Sequence, residues 1–365
     1  MQRRDILRTG LTAGIALLGA ACQQKRPSVG GGMISANRRI RWRLATSWPP
    51  NFPVFEHGPR RLAELVEKMS GGHFTIEVDS AGKHKAPFGV FDMVRNGTYE
   101  MGHTAAYYWK GKELAMSLLT TVPFGMNVWE QYAWFFYGGG MELMQKVFGK
   151  HGLLSFPAGN TGVQMGGWFR KEIRSVEDFR GLKIRVPGLG GEVLARLGAE
   201  PITLPAGELY TALEKRVIDA VEWVSPAVDL TMGFQEIAEY YYLGWHEPAA
   251  ELQYLVNKRR FEELPPDFQT MLVVAMKETA LDATSEFFAR NVEGLESLRM
   301  RYPQVKILRF PDGVIAELKR QTQLLLQEYA SANPLFREVW EHQQRFLERA
   351  RRWTELSEFY YLTIR

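Results

Sequence analysis

The chain has one cysteine, Cys22, and seven histidines in 365 residues. A lone thiol closes no intrachain disulfide. The histidines show no HExxH or CxxC partner spacing, which excludes the common catalytic zinc signatures. “GLGGE” at 188–192 falls short of a GxGxxG fingerprint, and neither GxxxxGK[ST] nor GxSxG occurs. Dinucleotide, P-loop and hydrolase motifs are therefore missing, although a dispersed triad needs no motif. The apolar run Leu11–Ala21 is shorter than the ~20 residues of a bilayer span. The net charge of +4 is spread along the chain. No Lys/Arg block grips nucleic acid, and a small anion is a compatible partner.

What is present begins with a leader. “MQRRDILRTG” carries paired arginines, Arg3 and Arg4, before the apolar run, which ends in “GAAC”. A basic segment, a short apolar segment and a small-residue cleavage site predict an export signal over 1–22. “RRDIL” is similar to a twin-arginine signal, and “LLGAAC” to a lipobox with Cys22 as the lipid acceptor, from which Gly19 departs. Residues 23–38 read as a flexible tether.

At this length two domains are the default. “RIRWRLATSWP” (39–49) alternates as a strand, 54–72 has helical spacing ended by Gly71-Gly72, and “HFTIEVDSAG” alternates again. Residues 88–104 read as helix, Gly97 turn and strand, so a largely parallel sheet with covered faces is expected. A second unit in series starts near 152 with strands “GLLSFPAGN” and “VQMGGWF”. Ser175 and Asp178 form a capping box before “GLKIRVPG”. From about Pro265 the chain reads as helical, with Asn333-Pro334 as a break. A ligand cleft is expected between the two units.

In “GLKIRVPG”, Leu182, Ile184 and Val186 alternate with Lys183 and Arg185 until Pro187-Gly188 stops the strand. Arg185 thus stands at a strand end. It is either a solvated charge or a planar fork suited to a carboxylate.

“GTYEMGHTAAYYWKGK”, “TVPFGM”, “GLKIRVPG”, “ALEKRVIDAVEWVSP” and “GWHEP” occur in order and together resemble the solute receptors of TRAP transporters, the DctP family, over residues ~40–340. Within that family the chain looks closest to the receptors for 2-oxo acids such as pyruvate. The resemblance implies an α/β, two-lobed periplasmic-binding-protein-like fold with the ligand between the lobes and long C-terminal helices. It divides the chain into 39–155 plus part of 250–310 as lobe 1, 156–250 plus part of 265–332 as lobe 2, and a helical extension 333–365. It implies that Arg185 pairs with the ligand carboxylate, and that Gln164, Glu222 and Trp223 hold a cation, Na⁺ or Ca²⁺ with sodium slightly preferred, beside the acid. Carboxylate and carbonyl oxygens are the donors such ions take. Of two further shell candidates, Glu247 and Gln253, the neutral Gln253 is preferred. Asn160, Tyr107, Tyr108, Phe124, Trp223 and Trp48 complete the expected substrate site, the aromatics excluding water. The implied partners are a small organic acid anion, TRAP membrane permease subunits and a second copy joined through the C-terminal helices; nucleic acid is not expected. The expected location is the periplasm, and no catalysis is expected. Two readings stay open: a dicarboxylate or sugar acid as ligand, and a cation-dependent enzyme using Glu222 as base. A cation beside Glu222 argues against the latter by lowering its pKa.

Overall fold

Trp42 and Leu44 are buried while Arg41 and Arg43 face water, so the alternation predicted from the first residues of the fold is realised in β1. The computed structural model describes residues 39–364; the export signal, Cys22 and the tether lie outside the described residues. The strands are β1 (Ile40–Thr46), β2 (Phe74–Asp79), β3 (Met101–Thr104), β4 (Leu153–Asn160), β5 (Gly167–Phe169), β6 (Lys183–Arg185), β7 (Glu200–Ile202), β8 (Ala220–Val221), β9 (Tyr240–Tyr242), β10 (Glu251–Asn257) and β11 (Lys306–Leu308). They form two sheets, one ordered β2-β1-β3-β10-β4 and the other β11-β9-β5-β8-β6-β7. This is the two-lobed α/β architecture expected from the sequence.

The connectivity differs from two units in series. β4 belongs to the first sheet through Asn160, so the expected division at 155/156 cuts a strand in two. The chain then enters the second sheet at β5 and returns to the first through β10, which pairs antiparallel with both β3 and β4. β5 likewise pairs antiparallel with β8 and β9, so both sheets are mixed rather than largely parallel. Alternation reports which face of a strand is buried, not which neighbour it pairs with. “VQMGGWF” is strand only from Gly167. β11 interrupts the helical last third and pairs with β9.

Helices cover the sheets. The helix Pro266–Arg301 buries Phe268, Leu272, Met276, Ala280, Ala283 and Phe287, and packs on β4 and on the helix His57–Met69. Asp178 accepts from the Ser175 backbone N–H at 2.9 Å, as its capping box requires. Asn333 separates the helices Asp312–Ala332 and Pro334–Thr354, its side chain accepting from Phe336 N at 2.9 Å. Beyond Thr354 the helical tail is exposed along its length. Among the described residues no helix is long and apolar enough to cross a membrane.

Candidate functional site

Three short segments meet where the chain passes between the sheets. One follows β4 (164–166), one follows β8 (222–224) and one follows β9 (243–247). Backbone hydrogen bonds tie them together: Gln164 N donates to Glu247 O at 2.9 Å, Met165 N to Val224 O at 2.8 Å, and Gly166 N to Tyr242 O at 2.7 Å. The approach is close enough to need glycine. A Cβ on Gly244 would lie 1.8 Å from the Gln164 carbonyl oxygen, and one on Gly166 2.6 Å from that of Leu243. This crossing brings Gln164, Glu222, His246 and Glu247 into one place. The β6–β8 ladder, extended by Glu222 N donating to Arg185 O at 2.9 Å, adds Arg185.

Arg185 is only 1% exposed. Nη1 donates to the Glu222 carbonyl at 2.8 Å and Nε to the Leu204 carbonyl at 3.3 Å, while Nη2 meets no protein acceptor. The guanidinium also lies 4.9 Å from the Trp223 ring centroid. The backbone therefore fixes one edge of the fork and leaves a buried donor for something else. Glu222 is as deeply buried, and neither carboxylate oxygen has a hydrogen bond. Arg185 Nη1 stands 3.5 Å from it and the His246 ring 3.4 Å. Burial pushes its carboxyl well above the usual range, with Arg185 opposing and Asp229 adding to the rise. Burial likewise pushes Glu247 up to about 8, helped by the charge of Glu222, and holds His246 below its ordinary value. Glu247 Oε2 and Gln164 Oε1 are also buried without partners.

An uncompensated buried carboxylate costs several kcal/mol, so a fold keeps two of them beside one arginine only against a return elsewhere. The ligand atoms of Glu222, His246 and Glu247 lie within 4.8 Å of one another, the spacing of a metal shell. The carboxylate oxygens of Glu222 and Glu247, with the unpartnered Gln164 Oε1 on the same crossing, are donors of the kind a hard cation takes. The orphaned oxygens are the observation that supports the fit.

A tight cavity adjoins this cluster. Its wall includes Trp48, Phe55, Tyr107, Tyr108, Gln164 and Trp223. Trp48 packs 6.5 Å from Trp223 and 6.3 Å from Tyr108 and is held by a 2.7 Å hydrogen bond from its Nε1 to His103 Nδ1. Burial raises both tyrosine pKa values, and Arg185 opposes the rise in each. Both therefore remain phenol donors near the guanidinium at neutral pH.

Seven of the expected site residues thus converge: Arg185, Gln164, Glu222, Trp223, Tyr107, Tyr108 and Trp48. Three do not. Asn160 gives its Nδ2 protons to Gln131 Oε1 at 2.6 Å and Glu251 Oε2 at 3.1 Å, and its Oδ1 accepts from Gly162 N at 3.0 Å. It has no proton left for a ligand. Gln253 Oε1 accepts from Ala106 N at 2.7 Å and its Nε2 donates to the Leu119 carbonyl at 3.0 Å, so it splints the first sheet instead of joining a cation shell. Phe124 lies against Trp245 in a separate groove of about 620 Å³, away from the cavity beside Arg185. Glu247, passed over for Gln253, is the residue that joins Glu222. The sequence carries no signal for His246 beyond its place beside Glu247 in “GWHEP”.

The family described as bacterial extracellular solute-binding protein, family 7 (DctP), matches residues 44–333. A monocarboxylate 2-oxoacid-binding periplasmic protein of Nostoc sp. is 38% identical over 363 residues, covering 99% of this chain and 98% of its own. A TRAP periplasmic solute-binding protein from Colwellia psychrerythraea, solved with calcium and pyruvate, is 51% identical; the match covers 90% of this chain and 100% of that one, with a TM-score of 0.89. One from Pseudoalteromonas atlantica, solved with sodium and pyruvate, is also 51% identical, over 89% and 99% of the two chains, with a TM-score of 0.88.

Proposed function

The chain belongs to the DctP family, the extracellular solute receptors of TRAP transporters, and on that premise we propose that it binds a small 2-oxo monocarboxylate of the pyruvate type together with Na⁺ or Ca²⁺ in the periplasm. One observation carries the reading: a buried arginine with a free donor edge stands beside two buried, unpaired carboxylates and a tight aromatic cavity.

Arg185 meets the acid's carboxylate with its open edge, and the Glu222 and Leu204 carbonyls keep the fork from swinging away. Tyr107 and Tyr108 donate their phenol protons toward the same anion. Trp48 and Trp223 exclude water and limit chain length, which disfavours a dicarboxylate or a sugar acid in so small a space. Glu222, Glu247 and Gln164 hold the cation, with the Trp223 carbonyl as a further oxygen. When bound, the cation supplies positive charge to the 2-oxo oxygen. Two ionised carboxylates, one guanidinium and the acid sum to −2. Calcium neutralises that charge, and sodium does so when one carboxyl carries a proton. The lobes close around the ligand as a hinge, biased by contacts from both. The closed receptor presents the acid to the membrane permease subunits. This assignment leaves no chemical step for the protein to perform.

The chain pairs with a second copy through its C-terminal tail, where Trp353, Leu356, Phe359, Tyr360, Leu362 and Ile364 are each more than half exposed. Contiguous apolar exposure of this kind marks an interaction surface. Light scattering on the intact chain and on one ending at Arg352 checks it; a monomer in both removes the dimer. Lipid on Cys22 is read by mass spectrometry of the exported protein.

The deciding experiment is calorimetric titration with pyruvate, longer 2-oxo acids, lactate and succinate, each with and without Na⁺ and Ca²⁺. Tight, cation-dependent, stoichiometric binding of pyruvate is expected. Succinate preferred over pyruvate, or turnover of pyruvate to product, overturns the reading.

A further inference from the structure

The proposed Na⁺ or Ca²⁺ shell gives His246 no role, yet its ring lies inside the cluster. It is 1% exposed, and both ring nitrogens are buried without a protein partner. Trp245 packs on it at 5.4 Å between ring centroids, and Gly190 comes so close that a Cβ there would meet the ring at 3.2 Å. Its Nε2 stands 3.4 Å from Glu222 Oε1, and the geometry makes no hydrogen bond.

Na⁺ and Ca²⁺ are hard ions that take oxygen, and a site serving them alone has no use for a nitrogen donor. Imidazole is the ordinary ligand of zinc, cobalt and nickel. Donors ~2.1 Å from a tetrahedral zinc ion are about 3.4 Å apart, which matches the His246–Glu222 separation. Two carboxylates and one imidazole with a further position open form a donor set for a first-row divalent ion that also binds a small acid.

We propose that His246 extends the cation site to first-row transition ions, zinc and cobalt foremost, held by its nitrogen together with Glu222 and Glu247. The receptor then takes up its acid with such an ion whenever one is present. This rests on the reading of the cluster as a cation site.

The test uses the full chain stripped of metal with a chelator, then titrated calorimetrically with ZnCl₂, CoCl₂ or CaCl₂ alone, with the visible spectrum of the cobalt form recorded in parallel. One equivalent of zinc and of cobalt is expected to bind. His246→Gln is expected to weaken both at least tenfold and to alter the cobalt spectrum, with calcium affinity changed less than threefold. His246→Cys restores a soft donor and is expected to recover zinc but not to alter calcium. Thermal unfolding of each variant checks that the fold is retained. No zinc uptake by a chain that still binds calcium and pyruvate overturns this proposal alone. Equal loss of zinc and calcium in His246→Gln also overturns it, because the ring then only positions Glu222. Failure of every cation to bind the wild-type chain overturns the cation site itself, and pyruvate titration reports that separately.

Discussion

Asp229 and Glu222 are each 1% exposed, seven residues apart, and opposite in what surrounds them. Asp229 accepts four hydrogen bonds: from Trp168 Nε1 at 3.0 Å, the Tyr241 hydroxyl at 2.8 Å, Val224 N at 3.0 Å and Ser225 N at 2.9 Å. Glu222 accepts none. Burial raises Asp229 to about 6, with its donors opposing the rise. A satisfied buried carboxylate is a structural part, here a staple for the 222–225 loop. An unsatisfied one is a cost the fold carries for a ligand. The same contrast separates the amide network of Gln131, Asn160 and Glu251 at the β4–β10 crossing from the open set of Gln164, Glu222 and Glu247.

That contrast can be broken in five places. The largest effect falls on ligand binding. Arg185→Ala is expected to raise the Kd for pyruvate roughly thousandfold, about 4 kcal/mol, by removing the partner of a buried charge. Calorimetry beside a thermal melt checks it, and collapse of the fold with unaltered affinity in the folded fraction would make the residue structural. Asp229→Ala, which strands four donors, is expected to cost about 3 kcal/mol in urea unfolding. A loss under 1 kcal/mol contradicts the staple.

Acid sensitivity comes next. His103, buried behind Trp48, is held down to about 3 from an ordinary 6.5, chiefly by burial. Its folded pKa is depressed, so its contribution is complete above pH 6.5 and is lost as pH falls toward 3. At pH 5 the loss is about 2 kcal/mol relative to pH 8. His103→Gln is expected to flatten that part of the stability profile; an unchanged slope points to other groups. Glu222→Gln should move the other way from Asp229→Ala. It removes the cost of holding a buried carboxyl protonated and without hydrogen bonds, so the unliganded chain gains about 1 kcal/mol while cation-dependent binding disappears. Destabilisation in the absence of ligand counts against the contrast drawn above. The smallest effect belongs to Phe124→Ala, which lies outside the cavity and is expected to change pyruvate affinity less than threefold.

Much of the fold was legible because alternation and helical spacing are local. β1, β2, β3 and the capped turn at Ser175 follow from neighbours within a few residues. Arg185, Gln164, Glu222 and Trp223 were reachable because polar residues closing apolar strands face the mouth of an α/β sheet, and because the order of motifs resembles a known family. Asn160 and Gln253 look the same in sequence as Gln164: amides beside a strand end. What separates them is whether a distant residue (Gln131, Glu251, Ala106 or Leu119) has already taken their hydrogen bonds. His246 was invisible for the converse reason, since a histidine beside a glutamate says nothing until Glu222 is known to lie 3.4 Å away.

By itself the amino-acid order determined most of the strands and helices, the cationic strand end at Arg185 and the family, since each is written in short-range pattern. The crossing of three chain segments at Gly166 and Gly244, and with it the division of buried polar groups into paired and unpaired, was decided only by tertiary structure. The physical reason is that desolvation and hydrogen-bond satisfaction belong to a place in space, and that place is assembled from residues tens of positions apart.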